Sequence, residues 1–134
     1  MQYRYAFERL ETAVGCIANL GAGTDAPDRL GAALHEIHLA KNDICQDKRS
    51  KELFEELFSL IDFSLVDSEK GIYKRNFEEM SDELRHYVLD LVIQLYTRAI
   101  ILFHGTFTDV WAENPTIKTW KAGIKKKFGE VPGF

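Results

Sequence analysis

Apolar residues recur along this chain at helical spacing, and hardly anywhere with the alternation that a strand requires. Tyr3, Phe7, Leu10, Val14 and Ile17 are separated by alternating steps of four and three. One buried stripe of this kind predicts a first helix from about Gln2 to Asn19. The cluster Gly21, Gly23, Thr24, Asp25 and Pro27 breaks it and supplies a cap and a first-turn proline for the next. A second stripe, Leu30, Ala33, Leu34, Ile37, Ala40 and Ile44, predicts a helix ending near Cys45. After the polar run Gln46 to Lys51, with Asp47 or Ser50 as cap, Leu53, Phe54, Leu57, Phe58, Ile61 and Leu65 mark a third.

Residues Val66 to Ile72 carry turn chemistry, and Tyr73 to Met80 add a short helical turn. Ser81, Asp82 and Glu83 open the strongest helix, Leu84 to Phe103, by capping the free N–H groups and placing negative charge at the positive helix end. Its apolar residues leave only a polar strip at Asp90, Gln94, Thr97 and Arg98, which predicts a central helix with Leu91 and Leu95, like Leu57 and Phe58, nearly fully buried. Thr106 to Glu113 alternate like a strand but are too short for a sheet. Asn114 and Pro115 then reopen a helix lined by Ile117, Trp120, Ile124 and Phe128. The expected fold is all-α: a four-helix antiparallel bundle with an additional C-terminal amphipathic helix packed against it, in one domain spanning residues 1–134.

Charge divides that domain in two. Residues 1–113 hold 12 basic against 20 acidic side chains, a net charge of −8, whereas residues 114–134 hold five lysines against Glu130, or +4. An acidic body favours a basic protein partner, and a basic tail can meet phosphates or an acidic groove. Trp120, Lys121, Lys125, Lys126 and Lys127 are the tail's candidate binding residues, although docking of this short helix on its own acidic body is the expected arrangement. No secretory signal is read at Met1 to Leu10, and the window Tyr87 to Phe103 is interrupted by Asp90, Gln94 and Arg98, so no membrane span is expected. Two cysteines without a disulfide framework point to the cytoplasm.

The chemistry-bearing residues are sparse. His35 and His38 are three apart, not at the four-residue spacing of a zinc-protease helix, and are expected to flank the core stripe partly buried. Glu83 and His86 match half of a di-iron motif that has no second copy, so no metal is expected. Cys16 and Cys45 lack basic neighbours to favour a thiolate, and Gly21 to Gly23 lack the third glycine of a dinucleotide loop, so no cofactor is expected either.

One string stands apart. Arg98-Ala99-Ile100-Ile101-Leu102-Phe103-His104-Gly105 resembles the Arg-x(4–6)-His motif of HEPN domains, compact helical bundles of prokaryotic toxin and defence systems. The resemblance implies a metal-independent endoribonuclease, or an inactive relative, in which two chains pair as a homodimer around RNA. Arg98 would bind the scissile phosphate and His104 would serve as general acid/base. Read from the residues alone, Arg98 extends the polar strip behind Gln94, and His104 is a cation at a negative helix end. The leading expectation is a small acidic protein that acts by binding another protein, as a regulator, antitoxin or immunity-type factor. The ribonuclease is the alternative.

Overall fold

The computed structural model describes residues 3–18, 26–65, 71–104 and 115–128, and every regular element among them is an α-helix. They are α1 (Arg4–Ala18), α2 (Ala26–Leu39), α3 (Lys41–Ile44), α4 (Lys48–Ser59), α5 (Ile72–Glu79), α6 (Asp82–His104) and α7 (Pro115–Phe128). The strand-like segment Thr106 to Glu113 lies outside the described residues. The fold is all-α.

The stripes read from the sequence are the core. Tyr3, just before α1, is buried, as are Phe7, Leu10, Val14 and Ile17 on α1 and Leu30, Ala33, Leu34 and Ile37 on α2. Fully burying one such aliphatic side chain contributes about 1.5–3 kcal/mol. The second helix is shorter than expected. At Ala40 (φ −99°, ψ 13°) the backbone N–H turns to the carbonyl of Ile37, three residues back, and the chain bends before resuming as α3. The bend keeps Ala40 and Ile44 buried while Leu39 faces out.

The third helix also stops early, at Ser59, because Leu60 and Ile61 likewise bond three residues back and the chain then turns away. Asn76, buried on α5, clamps that turn: its amide oxygen accepts from the N–H of Asp62, and its Nδ2 donates to the carbonyls of Asp62 and Ile72. Residues 72–79 are therefore a full packing helix, not a single turn. Phe77 anchors α5 in the core, and α2 approaches it so closely at Gly31 that an added Cβ would lie 3.1 Å from the backbone nitrogen of Lys74.

Across the molecule α1 packs against α2, α6 and α7; α5 lies on the far side of α2, and α4 lies against α6. Ser81 caps α6, its Oγ accepting from the N–H of Leu84. Leu91 and Leu95 are buried there, as is Leu57 on α4, but Phe58 is only half-buried. It sits in a rim of rings, stacked on Phe54 and edge-on to His38 and Tyr73. By length and composition α6 could cross a membrane, and half of that apolar window is buried among the other helices. Gly123 seats α7 on α1: a Cβ at this position would fall 2.7 Å from the carbonyl oxygen of Ala18.

Candidate functional site: the groove between α4 and α6

Asp47 starts α4. Extended backbone at this residue (φ −99°, ψ 129°) lets its carboxylate fold back on the helix, where Oδ2 accepts from the N–H of Ser50 at 3.0 Å and from the Ser50 hydroxyl at 2.9 Å. The same carboxylate accepts two more hydrogen bonds from α6, Arg98 Nε to Oδ2 and Arg98 Nη2 to Oδ1, both at 3.0 Å. A planar guanidinium meeting both carboxylate oxygens is the strong, oriented form of this interaction. The hydroxyl of Tyr3, itself buried, donates to Ser50 Oγ at 2.8 Å. One polar network thus ties the start of α1 to the start of α4 and the middle of α6.

Its electrostatics follow from these contacts. Hydrogen bonding from Arg98, assisted by the Ser50 N–H and hydroxyl, holds the Asp47 carboxyl down at about 2. Asp47 in turn raises the already high value of Arg98, and burial pushes the Tyr3 phenol up. Both halves of the pair are therefore charged at neutral pH.

Beside the network lies an open groove of about 270 Å³. Leu53 on α4 and Ile93 and Ile101 on α6 give it apolar walls, while Arg49, Gln94, Thr97 and Arg98 supply its polar edge. Ile101 is 38% exposed where it lines the groove. Gln94 Nε2 donates to Asp90 at 2.7 Å, and its Oε1 accepts from Arg49 Nη2 at 3.4 Å. Three members of the polar strip read from the sequence, Gln94, Thr97 and Arg98, thus stand half-buried along one edge of the groove, while Asp90 lies outside its lining and orients Gln94.

The remaining candidates scatter. Arg98 lies in this groove, bound to Asp47. His104 is the last residue of α6, and its side chain is outside the described residues, as are those of Trp120, Lys121 and Lys127. Lys125 and Lys126 are exposed on α7. His35 and His38 are exposed and not partly buried, because they stand at the rim where α2 meets α5 and not over the core: His38 Nδ1 lies 2.6 Å from the Tyr73 hydroxyl, and His35 lines the hollow between the two helices. A second hollow, of about 230 Å³, sits between α2 and α5 beside the Lys74–Asp28 ion pair. Cys16 and Cys45 are half-buried thiols that burial holds in the protonated form. Among the described residues no three His, Cys, Asp or Glu side chains are grouped to hold a metal.

Sequence reasoning missed Arg49 and Leu53 as site residues. Leu53 read as core and Arg49 as part of a turn, and neither carries a local signal that α6 will lie opposite. No protein-family model, curated protein or solved structure matches this chain.

Proposed function

We propose that this chain acts by binding another protein, in the manner of a regulator, antitoxin or immunity-type factor, and that the groove between α4 and α6 receives a side chain of that partner. The scaffold in this reading is a four-helix antiparallel bundle formed by α1, α2 with α3, α4 and α6, with α7 packed against it as a fifth helix. One observation carries the reading: an open, apolar-walled groove beside a rigid ion-pair network, with Ile101 left exposed at its edge.

Size and setting support it. At about 270 Å³ the groove falls below the roughly 300–1,000 Å³ typical of small-molecule and cofactor clefts. It suits one large anchoring side chain, the kind of contact that dominates protein–protein affinity. Its walls stand on two helices cross-tied by Asp47 and Arg98, so a partner has little ordering to impose on binding.

Selection of displayed peptides against the whole protein, with Ile101→Glu as comparison, tests the proposal. Enriched peptides should share an apolar anchor and lose about tenfold or more in affinity for the variant. Thermal melts should match, since Ile101 is exposed. Peptides that bind both proteins equally would place recognition elsewhere and overturn the reading.

A further inference from the structure

We infer that the groove selects a protein segment carrying one apolar side chain next to a carboxylate, and that Arg49 is the residue that reads the carboxylate. The inference rests on the protein-binding reading above and adds the chemistry of the partner.

The two guanidinium groups at the groove differ in how firmly they are held. Arg98 commits Nε and Nη2 to Asp47, both at 3.0 Å, and that carboxylate is only 13% exposed. Moving Arg98 to a new partner would leave the largely covered Asp47 carboxylate without its cation. Arg49 is held loosely. Its Nη1 lies 3.3 Å from Glu52, one helical turn along an exposed surface, and its Nη2 lies 3.4 Å from Gln94, both at the long limit of hydrogen bonding. Exposed pairs of that kind contribute little and exchange readily. Arg49 is also 54% exposed, so a carboxylate arriving from solvent can take two of its N–H groups at the shorter distances of a charge-assisted pair.

The rest of the surface narrows the partner further. The chain carries a net charge of −4, and Glu52, Glu55 and Glu56 lie exposed on α4. A polyanion, with its charge spread over many ångströms, would meet the carboxylates of Glu52, Glu55 and Glu56 as well as the basic Lys48, Arg49 and Lys51 of the same helix. A single carboxylate set beside an apolar anchor can displace Glu52 from Arg49, since Arg98 is already committed to Asp47, while the anchor fills the space between Leu53, Ile93 and Ile101. Gln94, bonded to Asp90, lies beside the guanidinium at the groove's edge. Arg49 is thus a specificity-determining residue with no task in the core.

The test uses the full chain and four fluorescent short peptides whose central pairs are Leu-Asp, Leu-Asn, Leu-Lys and Ala-Asp, titrated by anisotropy. Leu-Asp should bind tightest, with Leu-Asn and Ala-Asp each weaker by about tenfold, the worth of one charge-assisted contact or one buried anchor. Arg49→Gln should abolish the difference between Leu-Asp and Leu-Asn, and Arg49→Glu should shift the preference to Leu-Lys. Equal binding of Leu-Asp and Leu-Asn to the wild-type protein, lost on Ile101→Glu, would overturn the carboxylate inference and leave the groove reading standing. Absence of binding by all four peptides up to millimolar concentration would overturn both.

Discussion

Replacing Arg98 by alanine should weaken the fold, and the size of the loss can be worked from Asp47. Holding that carboxyl at about 2 against an ordinary 3.8 corresponds to about 2.5 kcal/mol of preferential interaction with the charged form. Arg98 is the largest cause and Ser50 provides the rest. Because the arginine is 36% exposed, solvent screens part of its attraction, and its own contribution comes to about 1–2 kcal/mol. Folding depresses this carboxyl, so the stabilisation is complete above about pH 5 and is lost as the pH falls through 3.8 toward 2. Urea denaturation of the wild-type protein, Asp47→Ala, Arg98→Ala and the double variant isolates the pair, since the cycle cancels the cap that Asp47→Ala also removes. The coupling energy should be about 1–2 kcal/mol at pH 7 and should fall to about half of that or less at pH 2.5, where the carboxylate is already partly protonated. A coupling below about 0.3 kcal/mol at pH 7, or one indifferent to acid, would refute the reasoning.

Three further outcomes are expected. Leu91→Ala, at a buried position on the most central helix, should cost about 2–5 kcal/mol in chemical denaturation. Gly123→Ala should lower the melting temperature, even though alanine favours a helix over glycine by about 1 kcal/mol, because the new methyl meets the Ala18 carbonyl; a raised melting temperature would mean that α7 does not sit on α1 there. On the protein-binding account a mixed RNA pool stays intact with and without EDTA, whereas the ribonuclease implied by the HEPN resemblance would cut it and lose that activity in both Arg98→Ala and His104→Ala.

What the sequence discloses here is what repeats locally. The stripes Tyr3 to Ile17 and Leu30 to Ile44 and the cap at Ser81 each depend on residues within a few turns of one another, and each is found as read; of the two caps read for the next helix, Asp47 and Ser50, it is Asp47 that serves. The bend at Ala40, the early stop at Ser59 and the helix at 72–79 depend on tertiary partners: a core to be reached by Ile44, and Asn76 gripping Asp62 across 14 residues. Phe77 and Gly31 carry α5 onto α2, and neither stands out from its neighbours in the chain.

The candidate site shows the same division. Asp47 is legible as a cap and Arg98 as the end of a polar strip, yet their meeting across 51 residues, which ties α4 to α6 beside the groove, has no local signature. Leu53 belongs to a core stripe by its spacing, and it is buried as that stripe requires; that it also walls an opening depends on how α4 lies against α6. Ile101, apolar on an apolar helix, gives no sign in sequence of being exposed.

The central claim is that a partner's side chain enters the space between Leu53, Ile93 and Ile101. Methyl-resolved NMR of the full chain, titrated with a peptide selected for binding, measures this directly, because each of these residues reports on its own surroundings. Their methyl resonances should shift most and saturate together, while Ile72, in the separate hollow between α2 and α5, should stay in place. Saturable shifts centred on Ile72, with Leu53, Ile93 and Ile101 unmoved, would contradict the claim.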